Sequence, residues 1–183
     1  MDGYALLAIA AVVSRVITSA IDLDSSTPDV QLTDVLHKTL PYIPQAAYVA
    51  DIIVTACLLL TPFVTEDSNK YARVYAIILL VRAILMWVTI LPDKCAPHFH
   101  RYGRNSVFGG CRDKCFSGHT ATALLFAFIC VSSGLSRVVF AVPAAVSVLM
   151  LVSRSHYTLD IVVAWATVAA VWQNRQLLIY TAA

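Results

Sequence analysis

The chain has 183 residues, 59% of them hydrophobic and only 13% charged, with a formal net charge of +2 and a mean hydropathy of +0.75. Ordinary soluble domains are about half apolar and about a quarter charged, so this composition points to a membrane protein rather than a soluble one. So small a charge, with no polybasic run, argues against nucleic acid as a partner, and no repeat, low-complexity segment or composition shift marks a second domain within 1–183.

A spanning helix needs about 20 mostly apolar residues, with a range of roughly 17–25. The first candidate runs from Tyr4 to Ile21 and is interrupted by Arg15. It lacks the basic start of a secretory signal peptide and reads as a transmembrane helix. The second runs from Ala46 to Phe63, bounded by Pro44 and Pro62, and carries Asp51. The third, Tyr71 to Leu91, has Arg82 at its centre. The fourth, Thr120 to Ser133, and the fifth, Val138 to Val152, are joined by Gly134-Leu135-Ser136. The sixth extends from Tyr157 to Tyr180. The expected fold is therefore all-α, a six-transmembrane helix bundle forming one domain.

Two connections are long. Segment 22–45 carries Asp22, Asp24, Asp29 and Asp34, whereas 92–118 carries Lys94, Arg101, Arg104, Arg112 and Lys114. With six spans, both emerge on the same face as 153–156. Ser117-Gly118-His119 and the stretch SRSHYTLD, from Ser153 to Asp160, should thus share one surface.

That surface collects chemistry. His156 and Asp160 are four apart, which on a helix puts them on one face. A carboxylate there fixes the imidazole tautomer and leaves the other nitrogen to attack. Arg154 offers a planar donor fork for phosphate. Ser117 reads as a helix N-cap, and Gly118 lets a backbone approach closely. The N–H groups of that helix end favour an anion, and His119 beside them can protonate a leaving group. These parts make a phosphoryl-transfer site that needs no metal and no cofactor. Ionisable residues near a membrane core cost roughly 2.5–3.5 kcal/mol on insertion scales and mark function by default.

FSGHT followed by SRSHYTLD resembles the lipid phosphatase and phosphotransferase (PAP2-like) superfamily, and within it the sphingomyelin synthases. The family signature C-G-D-x3-S-G-H-T is matched by Cys111-Arg112-Asp113 and then Ser117-Gly118-His119-Thr120. The signature H-Y-T-x-D is matched by His156, Tyr157, Thr158 and Asp160. The run from Arg82 through Val88-Thr89-Ile90-Leu91-Pro92, with Cys95 beyond, resembles the family's third span. The likeness covers roughly 70–175. It implies six spans and transfer of phosphocholine or a related phospho-headgroup from a glycerophospholipid to ceramide, through a phosphohistidine. His156 would be the nucleophile, Asp160 its orienter and His119 the general acid. It also implies an endomembrane or plasma membrane location with the site lumenal or exoplasmic. A positive-inside count points the other way, because basic residues gather on the site-bearing face. Arg112 replaces the family glycine, which leaves headgroup and acceptor open.

Other residues have two readings each. Arg82 forms an ion pair with Asp51 or meets the phosphate, and Arg15 pairs with Asp22 or snorkels. Asp34 and His37 read as surface polar residues, and Asp113 holds its loop or meets a cationic headgroup. A choline cage would draw on Tyr102, Phe116 and Tyr157. Cys95, Cys111 and Cys115 would supply a disulfide if their segment faced an oxidising lumen. The expected partners are a phospholipid donor, a ceramide acceptor and the bilayer, with homo-oligomerisation left open. The rival functions are a lipid phosphatase or phospholipase C-like hydrolase using water, and a non-catalytic lipid-binding scaffold.

Overall fold

The computed structural model describes residues 2–23, 30, 32–91 and 114–180, with Leu23 and residues 178–180 as backbone alone. All regular elements among them are helical: α1 (Gly3–Leu23), α2 (Val35–Thr39), α3 (Ala46–Val64), α4 (Ser68–Val88), α5 (Gly118–Ser132), α6 (Ala141–Val152), α7 (Thr158–Gln173) and α8 (Arg175–Tyr180). A 3-10 turn, Arg137–Phe140, leads into α6.

The all-α expectation holds. Three helices, α1, α3 and α4, are long and apolar enough to cross a membrane; α5, α7 and the turn with α6 are apolar but shorter. The physical reasons lie in the stops. The segment expected to run unbroken to Tyr180 divides at Asn174, whose side-chain amide donates to the Ala170 carbonyl at 2.9 Å and competes with the helix ladder. α5 ends at Gly134, where φ is +89° and Leu135 N–H donates to the Cys130 carbonyl at 2.9 Å. α4 stops at Val88, short of the expected Leu91, with Thr89 N–H donating to the Leu85 carbonyl at 3.0 Å as its C-cap. In α3, Pro62 sits inside the last turn instead of bounding the helix.

α5 is the central helix. Ten of its residues are buried, among them Ala121, Ala123 and Ala127. Such small side chains let helices approach closely where lipid removes the hydrophobic drive for association. Phe116, Leu124, Leu125 and Ile129 pack with Val74 and Ile78 of α4 and with Ala164, Val168 and Trp172 of α7. Ala123 joins a second cluster with Ala50 and Val54 of α3, Val146 and Met150 of α6 and Ile161 of α7. Outward-facing side chains are apolar as well: Phe63 is 86% exposed, Val88 68% and Val12 61%. An apolar exterior of this extent suits hydrocarbon surroundings.

α1 packs along α4, and α3 packs on α5 and α6, but no extensive contact joins α1 to α3. The gap between these pairs holds the cavity described next. The connections expected to converge do so in their described parts: Ile43 N–H donates to the Val152 carbonyl at 2.8 Å, and Ser117 N–H to the Asp160 carbonyl at 3.1 Å.

Candidate active site

Asp160 stitches the two sequence motifs together. It lies in the first turn of α7 and is fully buried. Its Oδ2 accepts from His156 Nδ1 at 3.0 Å and from Tyr157 N–H at 3.0 Å. Its Oδ1 accepts from Cys115 N–H at 2.9 Å, and its carbonyl from Ser117 N–H at 3.1 Å. A buried carboxylate is tolerable only when its lone pairs are filled in this way. With Nδ1–H directed at Asp160, Nε2 of His156 carries the ring lone pair.

His119 rests on an acid of its own. Its Nε2 lies 2.7 Å from Oδ1 of Asp51 on α3, and Asp51 is only 2% exposed. The sequence offered Arg82 as a partner for Asp51 and did not name His119. Each histidine therefore carries a buried carboxylate, and they come from different helices. Gly118 and His119 open α5, where Ser117 Oγ accepts Thr120 N–H at 3.3 Å and donates to Thr120 Oγ1 at 3.0 Å.

Both histidines line one partly open cavity of about 530 Å³. Arg82 and Gly118 line it too, together with Ser14, Arg15 and Thr18 of α1 and Thr55 of α3. Arg82 Nη1 donates to Ser14 Oγ at 2.5 Å, and a Cβ on Gly118 would lie 3.4 Å from Arg82 Nε. The glycine thus lets the helix end sit directly on the guanidinium. The rest of the lining is mainly apolar, with Leu7, Ala11, Val54, Leu58 and Leu79 beside Tyr75 and Thr122. A second, smaller cavity shares Leu7, Leu58, Tyr75 and Thr122 with it and continues toward Pro62 and Ile129. A polar pole and an apolar throat are what an amphiphilic substrate requires.

Other expected residues stand elsewhere. Arg154 occupies left-handed backbone, φ +58°, and its Nη2 donates to the Leu40 carbonyl at 2.9 Å, away from the cavity lining. Tyr157 is buried, with its ring 5.4 Å from that of His37 and its hydroxyl accepting Leu32 N–H at 3.0 Å. Phe116 is buried in the apolar core. Asp113, Tyr102, Cys95 and Cys111 lie outside the described residues. Cys115 is a free thiol, and burial, reinforced by the Asp160 charge, pushes it above the usual thiol range. A thiol so placed is not a ready nucleophile. Among the described residues no cluster of three or more potential metal ligands occurs.

Four contributors had little sequence signal. Lys114, 2% exposed, donates from Nζ to the Ser155 carbonyl at 2.5 Å and lies over the Tyr157 ring. Asp34 and His37, read as surface polar residues, instead bond to the His156 loop: Asp34 accepts from Thr158, and His37 meets the His156 carbonyl. Arg15, read as a partner of Asp22 or a snorkelling residue, lines the cavity.

Comparison with known proteins covers this region. Residues 110–177 match the family model described as PAP2 superfamily C-terminal. Over 68 residues the chain is 40% identical to "Phosphatidylinositol:ceramide inositolphosphotransferase 3" of Arabidopsis thaliana, a stretch that covers 35% of this chain and 24% of that relative. The chain thus spans about a quarter of the length of the curated relative it matches. The resemblance carried by the two histidine motifs therefore holds across the segment that contains them, which is PAP2-like and similar to a sphingolipid phosphotransferase.

Proposed function

We propose that the protein is a membrane phosphotransferase that moves a phospho-headgroup from a glycerophospholipid to ceramide and releases diacylglycerol. The observation that carries this reading is the pair of imidazoles, each on its own buried carboxylate, lining one cavity with Arg82 and an apolar throat. In the proposed cycle His156 Nε2 attacks phosphorus, and His119 gives its proton to the departing diacylglycerol oxygen. The ceramide hydroxyl then loses its proton to His119 and attacks the phosphohistidine, which restores free His156. Arg82 and the N–H groups at the start of α5 stabilise the charge on the equatorial oxygens. Asp160 and Asp51 orient the rings and stabilise the imidazolium forms.

The resemblance to sphingomyelin synthases suggests phosphocholine, whereas the plant relative is named for an inositol phosphate. Two features support the second. The cavity is lined by Arg15, Arg82, Ser14, Thr18, Thr55, Tyr75 and Thr122, which suit a phosphate bearing a polyol. Phe116 and Tyr157, the two described residues of the three proposed for a choline cage, are absent from that lining. In this reading the chain crosses the bilayer six times, with α5, α6 and α7 as short spans around a locally polar site. The site opens on the lumenal or exoplasmic side.

The test is incubation of the purified protein with labelled ceramide and a mixed pool of phosphatidylinositol, phosphatidylcholine and phosphatidylethanolamine, followed by mass spectrometry. The expected product is ceramide carrying phosphoinositol. Phosphate or a phospho-headgroup released into water with ceramide unmodified would favour the hydrolase. No ceramide product and no released headgroup with the parent protein would leave only the scaffold, and full product formation by both His156→Ala and His119→Ala would overturn the roles given to the two histidines.

A further inference from the structure

The connection between α1 and α3 lies outside the matched segment, yet its described part is tied to the reactive loop at five points. Asp34 is the centre. Its Oδ2 accepts Thr158 N–H at 2.6 Å, and its Oδ1 accepts the Thr158 hydroxyl at 2.9 Å. The same Oδ1 accepts Leu36 N–H at 2.9 Å and His37 N–H at 3.3 Å. One carboxylate therefore caps two helices, the short α2 and the catalytic α7, and fixes one against the other. His37, carried by α2, then reaches the His156 backbone, with Nε2 at 2.9 Å from its carbonyl oxygen. A carbonyl only accepts, so Nε2 carries the proton and His37 donates. Leu32 N–H on Tyr157 Oη at 3.0 Å and Ile43 N–H on the Val152 carbonyl at 2.8 Å close the two ends.

His156 is consequently held from both sides. Asp160 fixes its ring from within the bundle, while the 32–43 strap fixes its backbone from above. A nucleophile on a loop needs such a frame, because displacement by about 1 Å can cost roughly a hundredfold in rate. Arg154 joins the frame through the Leu40 carbonyl, from a left-handed backbone position that L side chains rarely adopt. Strain of that kind persists where surrounding contacts fix it.

We infer that Asp34 and His37 are positioning residues for the nucleophile, acting through Thr158 and the His156 carbonyl and not through contact with substrate. The inference rests on the proposed role of His156. It predicts a split between kinetic constants: Asp34→Ala and His37→Phe lower kcat by about ten- to a hundredfold and leave KM for both lipids within about twofold. His37→Gln, which keeps an N–H donor at comparable reach, retains most of the parent kcat, and Thr158→Val, which removes only the hydroxyl contact, loses less than Asp34→Ala.

The experiment is steady-state kinetics of these variants in phospholipid–ceramide vesicles, normalised to folded protein by size-exclusion chromatography. His156→Ala is run alongside. If His156→Ala stays active, the phosphotransferase reading fails. If His156→Ala is dead while Asp34→Ala and His37→Phe turn over at the parent rate, the strap inference alone is overturned. Equal losses in His37→Phe and His37→Gln overturn it too, because the donor would then not matter. Losses that vanish on normalisation to folded protein have the same meaning, since the strap would then serve stability alone.

Discussion

His119 and His156 sit on carboxylates through opposite ring nitrogens, Nε2 on Asp51 and Nδ1 on Asp160. In the proposed cycle the other nitrogen of His156 attacks phosphorus and that of His119 serves the leaving oxygen, and tautomer control is the task assigned to both acids. Asp51→Asn keeps the volume and removes the charge. It should lower kcat by about a hundredfold, the lower end of what a positioned general acid contributes, with folded yield unchanged; single-turnover release of diacylglycerol reads it. At His37, burial depresses basicity below the usual 6.5; the nearby Arg154 and Lys114 charges act the same way and Asp34 opposes them. Its Nδ1 is buried without a hydrogen-bond partner among the described residues, so a proton there is unwelcome. Tyr157 and the His156 backbone complete its surroundings. A folded value below the unfolded 6.5 means that strap docking is fullest above pH 6.5 and weakens as pH falls through the depressed value. Between about pH 7 and pH 5 the parent should thus lose more of its kcat than His37→Gln, a comparison that subtracts pH effects common to both proteins. Asp34, held below its ordinary value because hydrogen bonds from Thr158 and His37 outweigh its burial, stays charged through that range.

α5 matters because of where it starts. Ser117 caps it, Gly118 rests on Arg82, and His119 follows in the first turn, so one helix end presents N–H groups, a guanidinium and an acid together. Ser117→Ala removes the cap and should cost about 1 kcal/mol of stability, read as a lower midpoint in denaturant titration, with kcat falling because the first turn frays beside His119. The cap was legible: Ser followed by Gly-His-Thr before an apolar run announces a helix start. The strap was not. A five-residue helix in an acidic connection has no hydrophobic period of its own, and its capping partner, Thr158, lies 124 positions away. Local pattern carries no signal at such a separation.

Among the described helices, two pairs flank the cavity: α1 with α4, and α3 with α5. Both lipids named in the proposal have two long chains and would arrive sideways, and the apolar throat lined by Leu7, Ala11, Val54 and Leu58 is the route this proposal assigns them. Ala11→Trp should fill it. The expected outcome is a KM at least about tenfold higher for long-chain ceramide, with a smaller effect on a short-chain analogue; vesicle assays with acyl chains of graded length measure it. Equal loss for all chain lengths would mean that lipid reaches the site by another path.

Membrane character, an all-helical fold and the pairing of His156 with Asp160 were available from the chain alone, because hydropathy is additive along a sequence and an i to i+4 spacing is a local geometric fact. The assignment of Asp51 to His119, the turning of Arg15 and Ser14 toward the same cavity, and the two-helix cap at Asp34 came only with the tertiary fold. Each joins residues more than 60 positions apart across helices whose rotation about their own axes is set by packing against neighbours. A hydrophobic stretch states that it is buried. Only the assembled bundle decides which side chain a buried charge will meet.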